Sequence, residues 1–263
     1  LIQLGGSLNS LAATIVPVFV GYLMGDVASA RISDANPALF IAMAIFALAF
    51  VIIFFSAIPE PELEAAKAAP AKESEGVVAS VKGALSHNNL LFGIIAIFVY
   101  VGVEVGIPNI ANLYMTSGAE HGGLGIATGT AGTIVGLYWL LMLCGRLVGG
   151  ALGGKISSKH MMTGVSSVAI LLVILGIFIP ESAVISLGAL ADGAVVPVKI
   201  LCFVLCGLCT SVMWGSIFNL AVEGLGKYTS IASGVFMVMV CGGGILPYFQ
   251  GLLADVTSFV SSY

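Results

Sequence analysis

Leu90-Leu-Phe-Gly-Ile-Ile-Ala-Ile-Phe-Val-Tyr100-Val-Gly-Val-Glu104-Val-Gly-Ile-Pro108-Asn109-Ile-Ala-Asn112-Leu-Tyr-Met-Thr116 carries one formal charge in 27 residues. Fourteen residues precede that charge and twelve follow it. At about 1.5 Å of rise per helical residue, the carboxylate stands roughly 18–21 Å from either end. A bilayer hydrocarbon core is about 30 Å thick, so a helix spanning it holds Glu104 near the midplane. Keeping a carboxylate there costs at least about 2.5 kcal/mol, and such residues usually face a polar cavity. Two readings stay open. Glu104 meets water and cargo in such a cavity, or it is protonated and bonds neighbouring backbone for structure alone.

The surroundings of Glu104 favour a site. Tyr100 lies one turn earlier on the same face, and Asn109 and Asn112 are three apart. Pro108 lacks a backbone donor and Gly106 yields easily, so the stretch predicts an interrupted helix with amides and backbone open to a cavity. Gln3, Asn9, Thr14, Tyr138, Trp139, Trp214 and Asn219 are further polar or aromatic groups inside apolar runs. Amides that pair hydroxyls, beside flat rings that stack on C–H faces, suit a sugar. The competing readings are interhelical packing for each group and, for Tyr138 and Trp139, interfacial anchoring.

Composition sets the solvent. Hydrophobic residues make up 59% of the 263 and charged residues 8%, with a mean hydropathy of +1.13. A soluble domain could not cover that much apolar surface. Seven runs are long enough to cross a bilayer as helices: 1–24, 37–57, 90–116, 127–153, 161–180, 198–222 and 229–250. None shows the alternation of a barrel strand. Residues 58–89 differ in kind, with three prolines among alternating Glu and Lys, and read as a hydrophilic linker with some helix. The expected fold is an all-α transmembrane bundle of about seven helices, divided 1–57, linker 58–89, and 90–263.

Lysine and arginine orient it. With the linker cytoplasmic, alternation places Lys67, Lys72, Lys82, Arg146, Lys155, Lys159 and Lys227 inside and only Arg31 and Lys199 outside. The chain opens at Leu1 within an apolar run lacking a basic flank, which reads as a fragment beginning inside a membrane segment rather than a signal peptide.

Several function classes drop out. The net charge of −4 argues against nucleic acid. His87, His121 and His160 fall on joints without metal spacing, and no nucleophile elbow or phosphate loop occurs. An enzyme, a cofactor and a metal site are therefore not expected. Cys202, Cys206 and Cys209 are spaced like ligands, but packing in an apolar run is the better reading. Gly102/Gly106, Gly132/Gly136 and Gly145/Gly149/Gly153 predict close helix crossings. Gly242-Gly-Gly244 with Pro247 predicts either a broken, moving helix or a crowded crossing.

Four stretches carry a resemblance. Cys206-Gly-Leu-Cys-Thr-Ser-Val-Met-Trp-Gly-Ser-Ile-Phe-Asn-Leu-Ala-Val-Glu-Gly-Leu-Gly-Lys227 resembles the tenth span and following loop of fucose/glucose/galactose proton symporters, a branch of the major facilitator superfamily. Gly242 to Asp255 is similar to their eleventh span, Gln3 to Val20 to their fifth, and Phe98 to Ile107 to the glutamate-bearing seventh span of hexose members. The resemblance implies helices five to eleven of a twelve-helix transporter in a bacterial inner (plasma) membrane. It implies partners as well: a monosaccharide, a coupling proton (sodium as the alternative), lipid, and the N-terminal helices of the same chain, where the family's proton-exchanging carboxylates lie.

On that reading Gln3 and Asn9 approach the sugar from one half, and Tyr100, Glu104, Asn109, Asn112 and Asn219 from the other. Arg146 resembles the family's cytoplasmic latch, with Glu223 and Lys227 as its candidate partners, although the usual acidic residue before Arg146 is missing. A different small polar solute or a drug, or a non-transporting scaffold or sensor, is the competing function.

Overall fold

A computed structural model describes residues 2–24, 31–57, 76–191 and 193–263. Apolar runs become helices in chain order: α1 (Ile2–Met24), α2 (Asn36–Phe55), α3 (Val77–Leu85), α4 (Asn88–Thr116), α5 (Thr128–Leu152), α6 (Ser158–Phe178), α7 (Val198–Thr210), α8 (Met213–Val222), α9 (Thr229–Val238) and α10 (Gly242–Val256). Pro37 sits in the first turn of α2, where its missing N–H is harmless. The Ser157 hydroxyl caps α6 by accepting from the His160 N–H. Six helical segments among the described residues are long and apolar enough to cross a membrane. The 58–75 part of the expected linker lies outside the described residues, while α3 supplies its helical portion.

Of the two helix breaks expected, one is absent and one is present, and a third occurs that was not expected. Pro108 does not interrupt α4, which runs through it unbroken. The apolar run 198–222 does break, at Ser211-Val212, although it contains no proline after Val198. The last span breaks where the glycines lie: a 3-10 turn, Met239–Cys241, separates α9 from α10. That break is also a crowded crossing, since a β-carbon on Gly242 would run into the Phe98 carbonyl of α4.

Small residues set the other crossings. Gly102 and Gly106 receive Leu246 and Gln250 of α10. Gly145 and Gly149 receive Ser211 and Val212 at the α7–α8 break. Among the described residues, nothing comes within 4 Å of a β-carbon placed on Gly132 or Gly136.

The bundle is not purely helical. Val184–Ser186 (β1) and Val195–Pro197 (β2) pair antiparallel, with Ile185 opposite Val196. Glu181 at the base of this hairpin accepts the Tyr114 hydroxyl at 2.8 Å and lies 3.6 Å from the buried Lys199 ammonium. Lys199, one of the two basic residues expected outside, is thereby paired.

The packed core runs through α4, α5, α7 and α8. Ile97, Tyr100, Ile217 and Phe236 form one cluster, and Ile107, Tyr138, Met142, Phe203 and Cys206 another. Cys206 donates its S–H to the Cys202 carbonyl, which accords with the packing reading of these cysteines. α1 lies along α5, and α4 packs against both α8 and α10.

Candidate functional site

Glu104 lies twelve residues before the end of α4, buried among the helices. Its Oε1 accepts from Arg146 Nη2 of α5 at 3.0 Å. The other guanidinium nitrogen, Nη1, donates to the Gly6 carbonyl of α1. Arg146 is 6% exposed and Glu104 8%, so two charges that would be costly alone are held as a pair. The guanidinium fork thus links three helices. Glycine at position 6 permits this, because a β-carbon there would press on the Arg146 side chain.

The pair is not sealed. It opens on a cavity of about 540 Å³ whose wall also includes Asn9 of α1, Trp214 and Phe218 of α8, and Met237 of α9. That volume falls within the roughly 300–1,000 Å³ of small-molecule sites. Trp214 and Phe218 are one turn apart and stack with centroids 5.7 Å apart and planes 10° apart. Phe236 meets both edge-on and fixes them from behind. The result is a flat aromatic wall beside a carboxylate, a guanidinium and an amide.

The expected site residues separate into two groups. Asn9 and Glu104 share the cavity wall. Tyr100 is buried behind it, donating its hydroxyl to the Thr210 carbonyl at 3.0 Å. Asn109 and Asn219 are exposed and Asn112 half-buried, and none of the three lines this cavity. Continuity of α4 through Pro108 accounts for the first and third: without a break, residues 109 and 112 continue up the helix away from Glu104. The side chain of Gln3 lies outside the described residues.

The expected latch is also regrouped. Arg146 stands six residues inside the end of α5, about 9 Å of helix, and is committed to Glu104 and Gly6. Lys227 instead lies over the Tyr228 ring, 4.9 Å from its centroid. Glu223 is exposed and accepts at its backbone carbonyl from Asn89. The Arg146–Glu104 pairing escaped sequence reasoning, yet a signal was present. Each is a lone charge well inside an apolar run, and charges in such surroundings pair with one another.

This bundle of apolar helices, crossing through small residues around a charged central cavity, belongs to the Major Facilitator Superfamily, whose family profile matches residues 4–247. That is a family of transporters, not enzymes, and its members are integral membrane proteins. Among curated relatives, a glucose/galactose transporter of Brucella abortus biovar 1 (strain 9-941) is 30% identical over 260 residues, covering 94% of this chain and 55% of the relative. Among solved structures, the transporter FucP in its outward conformation superposes with a TM-score of 0.70 at 18% identity, covering 99% of this chain and 63% of that one. A second structure, of the E. coli fucose:proton symporter, gives 0.69. The chain spans about half the length of the curated relatives it matches.

Proposed function

We propose that this chain forms part of the substrate path in a secondary transporter of a hexose or fucose-like sugar, driven by proton symport through alternating access. The observation that carries the reading is the Glu104–Arg146 pair opening on a cavity walled by Trp214 and Phe218. A pyranose laid on the stacked rings presents its hydroxyl edge to the ion pair. The second Glu104 oxygen accepts from a hydroxyl, Arg146 donates to a sugar oxygen, and the Asn9 amide does either. The names of the relatives, glucose/galactose transporter and fucose:proton symporter, point to the same class of cargo.

The pair also suggests how binding couples to movement. Arg146 reaches the α1 carbonyl with one nitrogen and the α4 carboxylate with the other. A sugar competing for either bond alters the link between α1, assigned to the N-terminal half, and α4, assigned to the C-terminal half. The linker and the joints near 154–160 and 223–228 face the cytoplasm on this reading, and the membrane is the bacterial inner membrane.

In the complete protein, Glu104→Gln is expected to abolish both counterflow and gradient-driven uptake of labelled hexoses, because a substrate ligand is needed in each. Unchanged rates in both assays remove Glu104 from the site. Retained counterflow with lost accumulation reassigns it to ion coupling. Uptake in sodium-free buffer at varied pH separates proton from sodium.

A further inference from the structure

Pro108 leaves a defect in α4 that another helix repairs. Proline has no backbone N–H, so the carbonyl four residues earlier loses its helical donor, and that carbonyl belongs to Glu104. Tyr138 of α5 supplies a replacement, its Oη donating to the Glu104 carbonyl at 3.1 Å. The Tyr138 ring is 1% exposed and meets Trp139 edge-on, which fixes where the hydroxyl points.

Oη also lies 3.2 Å from Thr210 Oγ1. A phenol has one proton, so Tyr138 donates either to the Glu104 carbonyl or to Thr210, not to both. Thr210 Oγ1 reaches the Cys206 and Gly207 carbonyls at 3.1 and 3.2 Å and does not depend on Tyr138. The Glu104 carbonyl, by contrast, has lost its regular helical donor, since proline occupies that position.

We infer that Tyr138 is a positioning residue for Glu104: by capping the carbonyl that Pro108 strands, it holds the α4 turn in the register where the carboxylate meets Arg146. Its effect on transport rests on the reading of Glu104 as a sugar ligand, whereas its effect on the carboxylate does not. Removing one hydrogen bond of about 1 kcal/mol corresponds to roughly fivefold in affinity.

The test is a mutant cycle in the complete protein, read in two ways. The first readout is half-saturation by labelled D-galactose in counterflow. The second is the infrared carboxylate band of Glu104, assigned by its disappearance in Glu104→Gln. Tyr138→Phe is expected to raise half-saturation about fivefold, with less change in maximal rate, and to shift the band. Pro108→Ala restores the helical N–H, so adding Tyr138→Phe to it should change neither readout. Equal effects of Tyr138→Phe in both backgrounds overturn the inference, as does a band that never moves.

Thr210→Val keeps the Tyr138–Glu104 bond and should leave the band in place. It remains measurable even if Tyr138→Phe fails to fold, and a shift as large as that expected for Tyr138→Phe would assign the role to Thr210 instead. A band that responds as expected, while Glu104→Gln leaves galactose counterflow intact, supports the positioning and removes only the sugar reading.

Discussion

α2 and α4 are both long, apolar and uninterrupted, and they are built for opposite neighbours. α2 has no buried residue: Phe46, Phe50 and Phe54 are 76%, 66% and 69% exposed. α4 buries Tyr100, Glu104, Ile107 and eleven others, packing against α5, α8 and α10. Hydrophobicity does not separate them, because lipid and a protein interior are both apolar. What separates them is the residues that hydrophobicity leaves out. α4 has glycines where other helices cross, a proline whose lost donor is replaced by a tyrosine, and a carboxylate with a counter-ion. α2 has none of these past its first turn, and its sequence after Pro37 is Ala, Leu, Ile, Val, Met and Phe alone. In a membrane helix, specificity is carried by small, polar and charged residues.

The sharpest way to test that contrast is to strand the charge. Arg146→Met removes the counter-ion and leaves the Glu104 carboxylate buried beside a cavity. Removing one partner of a buried pair typically costs about 3–5 kcal/mol, while replacing both is close to neutral. Arg146→Met should therefore lower the melting temperature in detergent far more than the double variant Glu104→Gln/Arg146→Met. If the single and double variants melt together, the pair contributes little and α4 is held by packing alone.

A smaller effect is expected where helices touch without charge. Gly242 lies against the Phe98 backbone of α4, so Gly242→Ala must push α10 away from it. Overpacking of this kind costs about 1–3 kcal/mol. Among the described residues nothing lies where a side chain on Gly132 of α5 would go, and Gly132→Ala should be neutral or slightly stabilising, within about 0.5 kcal/mol. Melting temperatures that moved equally would show that the close crossing at Gly242 does not govern the cost.

This pair of glycines also marks how far the sequence could be read. The spans were legible, because length and apolarity suffice to place a membrane helix. The depth of Glu104 was legible too, since rise per residue converts position into height. Its partner was not, because Arg146 is 42 residues away in sequence and the contact depends on how α4, α5 and α1 pack. The helix breaks misled for a related reason. Pro108 predicts a break from local chemistry, but Tyr138 restores the lost bond from outside the helix. The α7–α8 break has no local breaker at Ser211 or Val212, and the Thr210 carbonyl at its edge is taken up by Tyr100. Asn109, Asn112 and Asn219 drew attention as amides in apolar runs, yet which face an amide occupies follows from the bundle.

The smallest effect tests the other side of the comparison. Phe46 of α2 projects fully from the described bundle, so lipid should solvate it about as well in the folded protein as in the separated helices. Phe46→Ala is accordingly expected to shift stability by less than about 0.5 kcal/mol, whereas burial of a phenylalanine in a packed core is worth about 3–5 kcal/mol on truncation. Fluorescence quenching by brominated lipid of a tryptophan placed there, Phe46→Trp, reads the same contact directly and should be strong. A destabilisation above about 1 kcal/mol with weak quenching would mean that this face of α2 is packed against protein in the assembled transporter. The two helices would then differ in which partner they meet, not in whether they meet one.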